Sequence, residues 1–176
     1  MGIIVDEKIN WKYHIDSVKG RLSSALFAMR QVKNITTTSL LQTLYYSMFY
    51  LHIDYGIILW GGAKKCILHP IIIMQKKAVR LIRGAEYNAH TAPLFALNKM
   101  LKLEDIYELQ LAKFVYSLYN DLLPVSQKID FTTNKSTHEY NTRNSYNPKM
   151  PKHRTSVAGR SIFTKSYYLW YNMDLS

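Results

Sequence analysis

The chain has 176 residues, 48% of them apolar, which suffices for one folded domain with or without a tail. Lys and Arg number 23 against 12 Asp and Glu, and the resulting formal charge of +11 favours polyanionic partners, nucleic acid before acidic membrane. Seven Gly and five Pro exclude collagen-like and linker-like chains, and the single Cys66 excludes a disulfide scaffold and a cysteine-based zinc finger.

Met1–Val5 is apolar, but Asp6, Glu7 and Lys8 follow at once, so no secretory h-region forms. The expected location is intracellular, with nucleus and cytoplasm both open. Gly2–Val5 reads as one β-strand that cannot form a sheet alone. From Trp11, the spacing of Ile15, Val18, Leu22, Ala25, Met29 and Val32 predicts an amphipathic helix. Asn34–Ser39 supplies turn and N-cap chemistry for a second helix, with Leu41, Leu44, Tyr45 and Met48 on its apolar face. Ser39–Trp60 is the nearest approach to a membrane span, but His52 and Asp54 in its second half argue against one. Gly61-Gly62 breaks the chain direction.

A third helix is expected to start near His69-Pro70, since proline suits a first turn. Its stripe is Ile71, Met74, Ala78, Leu81, Ile82 and Ala85, and Gly84 occupies the expected C-cap. Lys76, Lys77, Arg80 and Arg83 fall on the opposite side, with Lys64 and Lys65 just before them. After a loop and a short turn of helix around 90–97, a fourth helix begins near Glu104, where Glu104 and Asp105 complement the helix dipole. Apart from Gln110, Lys113, Ser117 and Asn120, nearly everything from Ile106 to Leu123 is apolar or Tyr, which predicts burial on most sides and a central place in the bundle. Pro124 ends it. Residues 124–176 carry +5, are rich in Asn, Thr, Ser, Lys and Tyr, and lose periodicity until Ile162–Trp170.

Catalytic constellations are absent from the pattern. The adjacent acidic pairs Asp6-Glu7 and Glu104-Asp105 read as a turn and a dipole complement, and no two histidines stand at i, i+3 or i, i+4. There is no Gly-rich phosphate loop and no nucleophile elbow. Cys66, before an apolar helix, reads as a small core hydrophobe. The binding pattern is stronger: Lys64, Lys65, Lys76, Lys77, Arg80 and Arg83 gather six cations near one surface, with no acidic residue between Lys64 and Glu86. Phosphate contact and a solvated outer face both stay open as readings of that surface. The tail's Tyr140, Tyr146, Tyr167, Tyr168, Trp170 and Tyr171 among cations fit either single-strand stacking or packing back onto the helices.

A set of short motifs in fixed order resembles the segment after the palm in reverse transcriptases of non-LTR (LINE- and jockey-like) retrotransposons. The match begins with Gly2-Ile-Ile-Val-Asp6 and Ile9-Asn-Trp11-Lys-Tyr-His14-Ile15, followed by Tyr55-Gly56 with Trp60. It continues through Gln75-Lys76-Lys77-Ala78 with Arg80, His90-Thr91 with Pro93-Leu94-Phe95, and Leu101-x-Leu103-x-Asp105-Ile106. His138-Glu139-Tyr140-Asn141-Thr142-Arg143, Arg154-Thr155 and Leu169-Trp170 close it. The resemblance implies the thumb and C-terminal extension of an RNA-directed DNA polymerase, a helical part that grips the template–primer duplex. The family's Asp-Asp pair belongs to the palm, upstream of Met1-Gly2, so this chain alone is expected not to polymerise. Mg²⁺ is expected only in that palm, and no cofactor in this chain.

The expectation is thus a mainly α chain: a palm-edge strand remnant over 1–10, a helical thumb-like bundle over 11–123, and an irregular, basic, aromatic extension over 124–176. Its partner is nucleic acid, without membrane or small-molecule substrate, and exposed apolar surface would favour self-association. The alternative is an independent basic helical module that binds RNA or protein and has no enzymatic activity.

Overall fold

The computed structural model describes residues 2–124, 135, 149 and 151–172. The chain is mainly helical and divides into two compact units, Met1–Tyr107 and Glu108–Ser176. In the first unit α1 (Lys12–Val32) and α5 (Lys65–Arg83) form the most extensive helix pair. Between them run α2 (Thr38–Leu44), a π-helical stretch (Tyr45–Tyr50), α3 (Leu51–Asp54) and α4 (Ile57–Trp60). After α5 come α6 (Thr91–Leu97) and α7 (Leu103–Tyr119), within which the units divide. A 3₁₀ turn (Ala158–Arg160) and α8 (Ile162–Asn172) follow in the second unit.

The α1 stripe packs as its spacing dictates: Ile15, Val18, Leu22, Ala25 and Met29 are buried, joined by Leu26, and Val32 packs against the core from its edge. The second helix departs from expectation. Its buried residues are Leu41, Tyr45, Phe49 and Ile53, while Leu44 is half-buried and Met48 exposed. A strict i, i+4 repeat gains about 40° per step on an α-helix, so four such residues drift off one face. The wider i→i+5 turns of Tyr45–Tyr50 unwind that drift and hold the row against the core. The other side of this stretch leaves Tyr46, Met48, Leu51, Tyr55 and Leu59 exposed.

Gly2–Val5 pairs with no strand; among the described residues there is none. With no ladder partner for its backbone groups, the segment is tied down by side chains. The Ile4 N–H donates to His14 Nδ1 at 3.3 Å, and the Ile3 side chain lies over Gly56, where a Cβ would meet it at 2.6 Å. The Asp6 carboxylate accepts the N–H groups of Lys8, Asn10 and Trp11 at 3.0–3.1 Å, fixing a loop in which Ile9 and Trp11 take left-handed φ values of 48° and 68°. The Asp6-Glu7 pair is thus turn chemistry.

Helix α5 starts at Lys65, a turn earlier than Pro70 suggests. Pro70 sits inside it, where its missing N–H forfeits one bond to the Cys66 carbonyl. The earlier start carries Cys66 onto the solvent side: its thiol is exposed, not a core hydrophobe. The far end closes on Gly84 in the left-handed conformation (φ 62°), with the Ala85 N–H on the Arg80 carbonyl at 3.0 Å.

Helix α7 is not the buried centre that its composition predicts. Leu103, Ile106, Leu111 and Val115 are buried along it, whereas Leu109 and Tyr116 are exposed. Helix α5 likewise buries one face and not its whole circumference: Leu68, Ile71, Met74, Gln75, Ala78, Val79 and Ile82 are buried, whereas Lys65, His69 and Ile73 are exposed. In the tail, 151–172 is more ordered than an irregular extension. The Ser161 hydroxyl accepts the Thr164 N–H at the start of α8, and Thr164 Oγ1 donates to the Ala158 carbonyl at 2.8 Å. Tyr140, Tyr146 and the 138–143 motif lie outside the described residues.

Candidate nucleic-acid interface

The seven buried residues of α5 occupy about 140° of the helical wheel at 100° per residue. Lys65, Lys76 and Arg83 lie within about 20° of one another on the other side, with Arg80 and Lys77 further round. Arg83 stands eighteen positions after Lys65. At a rise of 1.5 Å per residue, the strip is roughly 27 Å long.

The six cations differ in what else they do. Lys64 and Lys65 are exposed at the helix start, where their charge opposes the positive end of the dipole. Lys76, Lys77 and Arg80 are half-buried and Arg83 is exposed. Both guanidinium groups hold the chain that follows: Arg80 Nε donates to the Ala89 carbonyl at 2.9 Å, and Arg83 donates to Asn98 Oδ1 at 2.7 Å and the Leu97 carbonyl at 3.0 Å. Asn98 is buried, also accepts from Gln42 Nε2 at 2.9 Å and donates to the Leu94 carbonyl, so it ties α2, α5 and α6 together. Sequence reading left phosphate contact and a solvated face open for these arginines, and the structure shows an architectural role that neither reading contained.

Gln75 appeared in the sequence only as part of the Gln75–Ala78 motif, without a structural role. It sits on the apolar face of α5 at 1% exposure. Its amide nitrogen donates to the Tyr45 hydroxyl at 3.0 Å and the Leu101 carbonyl at 2.9 Å, and its oxygen accepts the Leu103 N–H at 3.0 Å. One side chain thereby fixes the start of α7 against α5. Burial pushes the Tyr45 phenol well above its ordinary pKa, so it stays a neutral hydroxyl.

Where α5, the start of α6 and the start of α7 meet, a cleft of about 440 Å³ opens, with Gln75 and Lys76 among its lining residues. His69, His90, Lys102 and Glu104 also line it. Lys102, His90 and His69 are scattered over 34 positions, and no spacing rule marks them. The signal in the sequence was Gln75, a single amide set among apolar neighbours.

Elsewhere in the first unit, His14 is buried between Trp11 and Trp60, with ring centroids 6.3 and 5.8 Å away. Nδ1 accepts from Ile4, Nε2 has no hydrogen-bond partner, and burial, with Arg21 nearby, lowers its pKa. Among the described residues no group of three or more His, Cys, Asp or Glu side chains could hold a metal ion, and no helix is long and apolar enough to cross a membrane.

Comparison with protein-family models, curated proteins and solved structures finds no match.

Proposed function

We propose that the chain binds nucleic acid across the solvent side of α5, as the thumb-like, template–primer-gripping part of a non-LTR retrotransposon reverse transcriptase. The one-sided strip of cations on α5 carries this reading: five basic residues set about 110° or more from the centre of the buried face, with no carboxylate between Lys64 and Glu86. A length of roughly 27 Å covers about eight base-pair steps along a duplex axis at 3.4 Å each, so the strip is long enough to meet more than one phosphate where it crosses a backbone. Lys64 and Lys65 at the positive end of the α5 dipole support it too, because an anion there relieves an unfavourable placement. Such contacts read charge and not bases, so binding is sequence-tolerant. The ordered motifs from Gly2 to Trp170 supply the assignment to a polymerase; catalysis in this reading belongs to the palm.

The testing variant reverses Lys64, Lys65, Lys76 and Lys77 to Glu and spares Arg80 and Arg83, whose hydrogen bonds hold the fold. Circular dichroism checks its helicity, and fluorescence anisotropy measures its affinity for an RNA–DNA hybrid. The expected result is loss of most affinity at ~100 mM salt. Equal affinity of variant and wild type overturns the reading.

A further inference from the structure

We infer that the cleft between α5, α6 and α7 is a binding site for a phosphomonoester on a planar body, namely a mononucleotide, free or at the end of a strand. The inference takes its ligand class from the nucleic-acid reading of α5, with which it shares Lys76. Its geometry is separate. At about 440 Å³ the cleft falls in the lower part of the roughly 300–1,000 Å³ range of small-ligand pockets, which suits one nucleotide and not a run of them.

The lining sorts into two chemistries. Phe95, Leu103 and Ile72 give an apolar surface against which a base can lie, the first two buried and the third half-buried. Two lysines and two histidines, Lys76, Lys102, His69 and His90, line the same cleft, against one acidic residue, Glu104. Two N–H groups at the start of α7 are already committed, the Leu103 N–H to Gln75 and the Lys102 N–H to Asp105 Oδ2, and the positive charge that an anion meets here comes from side chains. An internal phosphodiester carries one charge, whereas a phosphomonoester carries about −1.5 to −2 at pH 7 and three acceptor oxygens. Several cationic groups converging on a concave, partly apolar site match the second better. Glu104 adds an acceptor for an exocyclic amine or a ribose hydroxyl. Lys76, half-buried and lining the cleft, also belongs to the strip of cations, so a strand lying along α5 can deliver its end here.

The experiment uses the full chain and short RNA–DNA hybrids bearing 5′-phosphate, 3′-phosphate or hydroxyl-only ends, with AMP and adenosine as free ligands. The variants are Lys102→Gln and His90→Gln, singly and together, at exposed positions where folding is retained. The inference expects phosphorylated ends, or AMP over adenosine, to be favoured about tenfold, and the double variant to lose that preference while hydroxyl-ended hybrids bind it as before. Preference for phosphorylated ends places the nucleotide on a strand; preference confined to AMP makes it a free nucleotide, and both support the site. Equal binding of phosphorylated and hydroxyl ligands overturns the inference, and the hydroxyl-ended hybrids then still report on the α5 strip. Phosphate-dependent AMP binding without any hybrid binding keeps the cleft and removes the strip.

Discussion

Replacing Gln75 with Leu keeps the side chain's approximate volume and removes three hydrogen bonds at once. The Leu101 carbonyl lies at an exposed residue and can turn to water, so its loss costs little. The Tyr45 hydroxyl and the Leu103 N–H are different, because both bonds to Gln75 are buried. Each buried group left without a partner costs about 1–3 kcal/mol, or about 4 kcal/mol for the pair at mid-range. Greater apolar burial by Leu returns part of that, leaving a net loss of about 3 kcal/mol. A unit of 107 residues has a stability of roughly 5–15 kcal/mol, so the loss is a large fraction of the whole. Urea denaturation followed by circular dichroism measures it; with m of about 1–3 kcal/mol/M, the midpoint falls by at least ~1 M. Tyr45→Phe removes one partner and leaves Gln75 its other two bonds, so about 1 kcal/mol is expected there. A loss below about 1 kcal/mol for Gln75→Leu would refute the claim that this amide pins α7 to α5.

Further outcomes follow from two histidines, one buried and one half-buried, and from two glycines. The pKa of His14 is lowered by burial and then by Arg21, and that of His52 by the same causes, so in the window below 6.5 the unfolded chain binds more protons than the folded one. Stability is therefore full above pH 6.5 and declines as the pH falls from there toward the folded values; the urea midpoint should be lower at pH 5.5 than at 7.5, and His14→Phe should flatten that dependence. Identical slopes for wild type and His14→Phe would contradict it. Gly61→Ala and Gly20→Ala should have opposite signs. A Cβ on Gly61 would collide with the Tyr107 ring and stand 2.7 Å from the Ile57 carbonyl, an overpacking cost of about 1–3 kcal/mol, whereas Gly20, inside α1, has nothing within 4 Å and should gain about 0.5–1 kcal/mol as Ala. Thermal unfolding of the two variants reads both signs.

Much of the first unit was legible in its residues, because α1 keeps α-helical spacing from Ile15 to Met29 and Gly84 marks the end of α5. Where the pattern misled, a local rule yielded to packing. The i, i+4 row from Leu41 to Ile53 needed a π-helical segment that no α-helical template contains. Pro70 suggested a helix start, yet α5 gains enough from burying Leu68 and Ile71 on either side of it to absorb the missing bond. In α7, apolar composition overstated burial, since the number of apolar residues does not say how many neighbours surround a helix. The cations of the candidate interface were visible as a run without carboxylates. The second duty of Arg80 and Arg83 was not, because their acceptors, Ala89, Leu97 and Asn98, belong to the chain after α5 and are brought to it by the fold.

The central claim is that phosphates meet the lysines of α5, and its most direct test is the salt dependence of hybrid affinity. Each phosphate contact contributes about −0.9 to the slope of log K against log salt on B-form duplex. Wild type should show a steep negative slope between 50 and 200 mM salt, and the variant with Lys64, Lys65, Lys76 and Lys77 reversed should be flatter by up to about 3.6 units while keeping its helicity. Equal slopes for the two proteins would mean that these lysines face only water, and the claim would fall.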